Sequence, residues 1–202
     1  MTPRLRQVPP SAETPAGVFT LRPLDPVTDV EMLHGWMNDP AVARFWELDG
    51  PIRRLVAHLD EQFTGTHSRP YLGLVADEPM SYWELYRAQD DRLAAYYDAR
   101  PGDAGLHLLL GPARFRGIGL GRHLIEAVSR WQLEATETSR VVAEPDVRNT
   151  ASLRAFEQAG FRRTHDIDLP EKRAALMVRD PETTAPTEPP APHEPAGPGD
   201  AA

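Results

Sequence analysis

The sequence contains no cysteine among its 202 residues. Disulfide bridges, zinc sites built on cysteine and thiol nucleophiles are therefore excluded. Long apolar runs are also missing, and the first residues, MTPRLRQVPPSAETPAG, lack the hydrophobic stretch of a signal peptide or a spanning helix. We therefore expect a soluble, cytoplasmic protein that has no membrane partner.

Lysine and basic clusters are scarce as well. Lys172 is the only lysine, and the rest of the 22 basic residues are arginines. The formal net charge is -8, and no basic stripe runs along any segment. Because nucleic-acid-binding domains display such a stripe, we expect no nucleic-acid partner.

Proline, by contrast, is abundant and unevenly placed. Of the 21 prolines, 11 fall within residues 1–17 and 181–202. These two segments are poor in apolar residues, so burial cannot offset the entropy of ordering them. We expect a disordered N-terminal tail over residues 1–17, one folded domain over residues 18–180, and a disordered, acidic, proline-rich tail over residues 181–202.

Between the tails, hydrophobic periodicity predicts a mixed α/β domain with the element order β-α-α-β-β-β-α-β-α-β-β. Asp25-Pro26 predicts the start of the first helix. The segment AVARFW is predicted to be an aromatic connection, and Glu78-Pro79 is predicted to form a turn between two strands. A second helix is predicted after Gly50-Pro51. Its apolar face comprises Ile52, Leu55, Val56, Leu59 and Phe63.

A glycine-rich loop, RFRGIGLG at residues 114–121, joins a strand to a strongly patterned helix. Glycine lets the backbone approach a ligand, and the unpaired amides of a first helical turn favour phosphate oxygens. The loop lacks both the Lys-Ser/Thr pair of a nucleotide P-loop and the G-x-G-x-x-G spacing of a dinucleotide site. It is therefore an anion site of another kind, or a turn that serves only strand-to-helix packing.

Arg114-x-x-Gly117-x-Gly119 resembles the loop with which GCN5-related N-acetyltransferases (GNAT) hold the pyrophosphate of acetyl-coenzyme A. The later segment NTASLRAFEQAGF resembles a second element of that superfamily, in the same order along the chain. The resemblance implies a mixed, mostly antiparallel central sheet flanked by helices. Two neighbouring strands, GLHLLLG and RVVAE, would splay apart to hold acyl-CoA.

The resemblance also implies how the donor is bound. Acetyl-CoA, or a related donor such as succinyl-CoA, would be a co-substrate, with no tightly bound cofactor and no metal. Many members have a tyrosine at the position of Phe156 as the acid for the leaving thiolate, and phenylalanine cannot donate that proton. The implied donor-binding residues are Leu109, Arg114, Phe115, Arg116, Gly117, Ile118, Gly119, Leu120, Gly121, Arg122, Asn149, Ser152 and Phe156.

Further segments narrow the resemblance. HGWMNDP, YWELY, GLH and EPD resemble the siderophore-associated acyltransferases that acylate N-hydroxylysine or related hydroxylamines. In that family the positions that match His107 and Asp146 are the proposed catalytic pair. The match spans nearly all of residues 18–180.

The chemistry of acyl transfer supports this pair independently. Transfer to nitrogen needs a base, and histidine titrates nearest to neutral pH. On a strand, His107 points away from Leu106 and Leu108 and shares a face with Leu109. Asp146 follows the neighbouring strand, where it could orient the imidazole or bind the substrate. The alternatives are a core histidine bonded to backbone and an aspartate that caps a helix.

Aromatic and polar residues are candidates for an acceptor pocket. Tyr82, Glu84 and Tyr86 alternate along one strand and so share a face, where they could recognise the amino-acid or diamine part of the substrate. Trp36 and Trp46 are expected to wall the pocket. The alternatives are a half-exposed sheet face and ordinary core packing.

The resemblance therefore predicts an acyl-CoA-dependent N-acyltransferase that converts an N-hydroxylated lysine, ornithine or diamine into a hydroxamate in siderophore biosynthesis. That role implies a functional link to an amine N-hydroxylase and a siderophore synthetase. One alternative keeps the fold and acetylates an aminoglycoside or another small amine. The other is a non-catalytic domain that binds coenzyme A as a sensor or docking module.

Overall fold

The computed structural model describes residues 11–181, which form eight strands and five α-helices. The strands are β1 (Ser11–Thr14), β2 (Gly17–Pro23), β3 (Ser68–Val75), β4 (Glu78–Arg87), β5 (Asp103–Leu110), β6 (Arg140–Ala143), β7 (Arg162–Asp168) and β8 (Arg173–Arg179). The helices are α1 (Val30–Met37), α2 (Pro40–Trp46), α3 (Ile52–Thr64), α4 (Leu120–Leu133) and α5 (Thr150–Gln158). Within residues 11–181, none of these helices is long and apolar enough to cross a membrane.

The strands form one sheet in the order β1-β2-β3-β4-β5-β6-β8-β7. Every neighbouring pair is antiparallel except β5 and β6. Their parallel ladder runs only from Asp103, opposite Arg140, to Gly105, opposite Val142. Beyond Gly105, β5 continues along β4 while β6 ends at Ala143, so the two central strands diverge. This confirms the predicted mixed, mostly antiparallel sheet with splayed central strands.

The predicted N-terminal tail is wrong over residues 11–17. Ser11–Thr14 forms strand β1, which pairs with β2 from Ser11, opposite Thr20, to Thr14, opposite Gly17. The hydroxyl of Thr14 donates to the carbonyl of Gly17 at 2.6 Å and closes the turn. A short edge strand needs little apolar surface of its own because it pairs its backbone with an existing sheet. The other tail predictions, over residues 1–10 and 182–202, lie outside the described residues.

Helix α1 begins at Val30 and not directly after Pro26. The carboxylate of Asp25 instead accepts from the backbone amides of Val27 and Thr28, which makes a turn before the helix. Val27 is exposed as a result. The capping chemistry of Asp25 is real, but it stabilises a turn rather than a helix end.

Two further predictions fail at local caps and turns. AVARFW belongs to helix α2, because Asp39 caps it and Pro40 occupies its first position. The turn between β3 and β4 falls at Ala76 and Asp77, which have φ of 48° and 64°. Glu78-Pro79 therefore belongs to β4.

Helix α3 begins at Ile52 as predicted, but its buried face is narrower than the sequence indicates. Leu55 and Leu59 are buried, whereas Ile52, Val56 and Phe63 are partly exposed. The three exposed side chains lie at the edge of the helix face that packs on the sheet.

Two layers of helices cover the two faces of the sheet. Helices α1–α3 cover a core that includes Leu72, Tyr82 and Leu109. Helices α4 and α5 cover a core on the other face that includes Trp83 and Leu106. Because side chains alternate along a strand, Tyr82, Glu84 and Tyr86 of β4 share the face of α1–α3 with the odd-numbered residues of β5.

Candidate active site

Polar residues of β4 and β5 lie side by side on the face beneath α1–α3. Glu84 is directly opposite His107, and Tyr86 is directly opposite Gly105. Residues in direct register share a face of the sheet. Leu109, which follows His107 on the same face, is buried under the helices. His107 therefore has the orientation that the strand pattern predicts.

The imidazole of His107 lies between two buried carboxylates. Its Nδ1 is 3.1 Å from Oε2 of Glu84, and its Nε2 is in hydrogen-bond contact with Oε1 of Glu144. The side chains of Glu84 and Glu144 are each 6% exposed, whereas that of His107 is 33% exposed. The imidazole is thus the part of this cluster that faces solvent.

Two groups hold Glu84 from the side opposite His107. The hydroxyl of Tyr82 donates to Oε1 of Glu84 at 2.9 Å. Nε2 of His58, on helix α3, lies 2.6 Å from the same oxygen. Both oxygens of this carboxylate are therefore engaged, and its orientation is fixed.

Two other groups hold Glu144, which directly follows β6. The hydroxyl of Tyr86 donates to Oε2 of Glu144 at 2.9 Å and lies 3.3 Å from Nε2 of His107. Nζ of Lys172, between β7 and β8, lies 3.7 Å from Oε1 of Glu144. We call His58, Glu84, His107, Glu144 and Lys172 the charged cluster. It joins elements on both sides of the splay.

The protonation of the cluster follows from these contacts. Burial alone would lower the pKa of His107, but the charges and hydrogen bonds of Glu144 and Glu84 outweigh it and raise that pKa to about 10. Burial favours the neutral carboxyls, yet the contacts with His107 hold the pKa of Glu84 far below its usual range and that of Glu144 at about 2. At neutral pH an imidazolium therefore donates both of its N–H groups to carboxylates.

A cavity of about 550 Å³ opens over this cluster. Its wall runs from α2 and α3 across β4 and β5 to the segment after β6 and to α5. The predicted site residues on this wall are Trp46, Glu84, Tyr86, His107, Asp146, Asn149, Ser152 and Phe156. The predicted site residues outside it are Trp36, Tyr82, Leu109 and residues 114–122.

Asp146 reaches the cavity wall but is turned toward Arg148. Its Oδ1 accepts from the backbone amide of Arg148 at 2.7 Å, and its Oδ2 lies 2.6 Å from Nη2 of the same residue. Asp146 therefore does not orient the imidazole, which Glu84 and Glu144 hold. The carboxylate of Asp146 instead bonds the backbone and side chain of Arg148 in the local turn that leads into α5. The other expected role of Asp146, binding of the substrate, stays a prediction.

The two predicted tryptophans have different surroundings. The ring of Trp46 packs against Tyr82, with centroids 5.5 Å apart, and meets the ring of His107 edge-on at 6.3 Å. Trp46 therefore walls the cavity beside the imidazole. Trp36 packs over Gly111, where an added Cβ would lie 2.1 Å from the indole. Trp36 is thus part of the core and not of the cavity wall.

The glycine loop presents open backbone at the N-terminus of α4. Gly117 and Gly119 have φ of 73° and 79°, a conformation that favours glycine. A Cβ added to either would meet nothing within 4 Å. The amides of this loop and of the first turn of α4 can therefore be approached closely by an anion.

The two arginines of the loop are bound to other parts of the chain. Arg114 forms an ion pair with Glu78 at the start of β4. Arg116 forms an ion pair with Asp39, the cap of α2, and donates to the carbonyl of Gly111 at 3.0 Å. Arg116 thus connects the glycine loop to helix α2.

These features fit an acyl-CoA donor. The backbone of the glycine loop is open to an anion, and Leu106 of β5 and Ala143 of β6 line the cavity on the two sides of the splay. Phe156 lies on the same wall and packs edge-on against Phe161, with centroids 5.0 Å apart. It offers the donor apolar surface but no proton.

Three members of the charged cluster, His58, Glu144 and Lys172, are not among the residues predicted for the site. His58 lies next to Leu59 and three positions after Leu55, so the helical pattern turns it toward the sheet. Lys172 stands out in the sequence as the only lysine, but the sequence does not indicate that its side chain lies near Glu144. Glu144 and Asp146 both follow β6, and the sequence does not indicate which of the two contacts His107.

Comparison with known sequences identifies named relatives. N(6)-hydroxylysine O-acetyltransferase of Escherichia coli is 37% identical over 164 residues, which cover 81% of this chain and 52% of that protein. The chain therefore spans about half the length of that relative. Lysine N-acyltransferase MbtK of Mycobacterium tuberculosis is 37% identical over 184 residues, 90% of this chain and 86% of that protein.

Solved structures and a family model identify the same class of protein as the sequence relatives do. An uncharacterized protein of Bacillus halodurans superposes with a TM-score of 0.81 at 32% identity, covering 86% of this chain and 90% of that one. Aminoglycoside acetyltransferase AAC(6')-Ib, in complex with coenzyme A and kanamycin, gives 0.70 at 26% identity, covering 81% and 95%. A model of the acetyltransferase (GNAT) domain matches residues 25–169. Because that match covers well over half of the sequence, the chain belongs to the GNAT acetyltransferase family.

Proposed function

We propose that the chain is an acyl-CoA-dependent N-acyltransferase that acylates an N-hydroxylated lysine, ornithine or diamine to a hydroxamate in siderophore assembly. The observation that carries the proposal is the imidazole of His107, held between Glu84 and Glu144 at the cavity beside the splay. Two relatives, N(6)-hydroxylysine O-acetyltransferase and lysine N-acyltransferase, support this acceptor class. An amine N-hydroxylase would supply the acceptor, and a siderophore synthetase would consume the product.

The charge state of the cluster suits a hydroxylamine. A bound donor supplies an activated acyl group, and the acceptor nitrogen must lose a proton as the new bond forms. His107 already holds a proton at neutral pH, so the site supplies only weak base catalysis. A hydroxylamine nitrogen is less basic than the nitrogen of an alkylamine and is largely unprotonated at neutral pH. It therefore needs little base catalysis.

A protonated His107 has a second use in this scheme. Its two N–H groups donate to Glu84 and Glu144, while the ring lies on the cavity wall, where Phe156 has no proton to give. We assign to the imidazolium the role of stabilising, as a fixed cation, the negative charge that develops when the thioester breaks. The proton that the acceptor nitrogen loses as the new bond forms would neutralise the leaving thiolate, and Glu84 and Glu144 hold His107 in its charged form.

The test is an assay of thiol release from acetyl-CoA and from succinyl-CoA, with N6-hydroxylysine, lysine and kanamycin as acceptors. We expect turnover with N6-hydroxylysine to exceed turnover with lysine clearly. Equal rates on the two would overturn the hydroxamate assignment while leaving acyl transfer intact. Comparison of the two donors assigns the acyl group.

The role of His107 is tested in the same assay by His107→Ala. We expect kcat to fall about tenfold or more, less than the roughly 100-fold or more typical of a general acid or base, because the acceptor is already neutral. His165→Ala is the matched control, since His165 is exposed on edge strand β7. Unchanged kcat in His107→Ala would remove His107 from the chemistry.

The likeness to AAC(6')-Ib, 26% identical, favours a second candidate, acetylation of an aminoglycoside. A polycationic acceptor calls for an acidic pocket, and Glu47 and Glu61 lie on the cavity wall. The kanamycin arm of the assay decides between the two acceptors. Turnover of kanamycin above that of N6-hydroxylysine would establish this candidate.

A further inference from the structure

Lys172, the only lysine of the chain, lies where its charge acts on the reaction site. It stands between β7 and β8 on the cavity wall, and its Nζ is 3.7 Å from Oε1 of Glu144. That same oxygen contacts Nε2 of His107. The side chain of Lys172 is 20% exposed, so water screens its ammonium only partly.

The charges around Lys172 balance. Glu84 and Glu144 supply two negative charges, and His107 and Lys172 supply two positive ones. His58, bonded to Glu84, adds a further positive charge whenever it is protonated. The cluster therefore presents no net negative charge to an incoming acceptor.

Most of the other charged residues of the wall are paired with a residue of opposite charge. Three pairs neutralise each other: Asp146 with Arg148, Glu171 with Arg92, and Asp91 with His67 when that ring is protonated. Burial and the neighbouring carboxylates raise the pKa of Tyr82 and of Tyr86, so both phenols stay neutral. The remaining charged residues of the wall are Arg44, Glu47 and Glu61, on or next to helices α2 and α3.

An alkylamine and a hydroxylamine meet this cluster in different charge states. An alkylamine arrives as an ammonium ion and would place a further positive charge beside Lys172 and His107. A hydroxylamine arrives largely neutral. We propose that Lys172 is a specificity-determining residue that disfavours alkylammonium acceptors and thereby selects the N-hydroxylated nitrogen. This inference rests on the proposed function, whose acceptor class it deepens.

Coulomb's law indicates the size of the effect. Two unit charges about 5 Å apart, at an effective dielectric constant of about 20, disfavour each other by roughly 300-fold in an equilibrium constant. Partial exposure of Lys172 reduces this, so we expect removal of its charge to change acceptor preference by about 10-fold. Lysine suits the role because it is a compact point charge, and arginine keeps the charge in a larger group.

The first test compares wild type, Lys172→Met and Lys172→Arg with N6-hydroxylysine and lysine, by thiol release at neutral pH. Lys172→Met should raise kcat/KM for lysine relative to N6-hydroxylysine by about 10-fold. Lys172→Arg should retain the wild-type preference, because the charge is retained. An unchanged preference in Lys172→Met would overturn the inference.

The second test needs no turnover and measures binding of pentylammonium by calorimetry. Lys172→Met should bind this cation about 10-fold more tightly than wild type, and Lys172→Arg should not. Unchanged affinity in a folded Lys172→Met protein overturns the charge role even if neither acceptor is acylated. If binding changes as expected but no hydroxylamine is turned over, the proposed function fails and the charge selection stands.

Discussion

Gly105 lies directly beneath the ring of Tyr86. A Cβ added to Gly105 would lie 2.2 Å from Cζ of Tyr86, far inside van der Waals contact. The bare backbone therefore allows the phenol to lie flat over β5 and reach Glu144 with its hydroxyl. A residue with no side chain thus determines where a buried hydroxyl meets a buried carboxylate.

Gly105→Ala should displace Tyr86 and leave Glu144 without its hydroxyl donor. We expect a loss of about 1–3 kcal/mol in the free energy of unfolding, from overpacking. We also expect kcat to fall by more than KM rises, because the groups around His107 lose their positions. Urea unfolding and the thiol-release assay measure the two effects.

Gly35→Ala is the control for that substitution. Gly35 lies in α1, and an added Cβ there would meet nothing within 4 Å. Alanine in a helix is more stable than glycine by roughly 0.5–1 kcal/mol, so this variant should be slightly stabilised and fully active. Equal effects of the two alanines would contradict the assigned role of Gly105.

At the scale of elements, the N-terminus of α4 depends on glycine conformation. Gly119 precedes the helix with φ of 79°, which costs an L-residue roughly 1–2 kcal/mol. Gly119→Ala should therefore shift the loop and weaken binding of coenzyme A about tenfold, measured by calorimetry. Gly35→Ala should bind coenzyme A as wild type does, because Gly35 lies in α1 and its added Cβ would meet nothing within 4 Å.

Elements with strong periodicity were predictable, and those set by local caps were not. The hydrophobic face of α4 and the glycine after α5 indicate both helices directly from the sequence. Helix α2 depends on a capping aspartate and strand β1 on pairing with the neighbouring strand β2, and periodicity reports neither. The order of β6, β8 and β7 in the sheet is likewise a tertiary result.

The residues of the site likewise divide into those that the sequence could predict and those that it could not. His107 was predictable because its strand position and its chemistry agree, and the motif in Arg114, Gly117 and Gly119 is local in sequence. The contact between Glu144 and His107 joins residues 37 positions apart across the splay. Only the register of β5 against β6 brings these two side chains together.

For the whole molecule, the charged cluster links stability to pH. The pKa of His107 is raised in the folded state, so its contribution is present below 6.5 and is lost as pH rises toward about 10. The pKa values of Glu84 and Glu144 are lowered, so their contributions are present above 4.5 and are lost as pH falls, for Glu144 toward about 2. The cluster therefore stabilises the fold most between pH 4.5 and 6.5.

His107→Gln tests this dependence, because it leaves the two carboxylates without the cation between them. The difference in unfolding free energy between wild type and His107→Gln should be largest near the acidic side of neutrality and should shrink toward pH 10. Urea unfolding across pH measures it, with His165→Gln as an exposed control. A difference that grows with rising pH would contradict the assigned charge state.

The ion pair between Arg116 and Asp39 has a consequence for the two substrates together. Asp39 caps α2, and α2 ends at Trp46, whose ring touches that of His107. The loop assigned to the donor and the wall assigned to the acceptor are thus connected through one carboxylate. We expect a bound anion that displaces the loop to act through this ion pair on the helix that shapes the other site. Affinity for either substrate would then depend on whether the other is present, and thermodynamic coupling of this kind is equal in both directions.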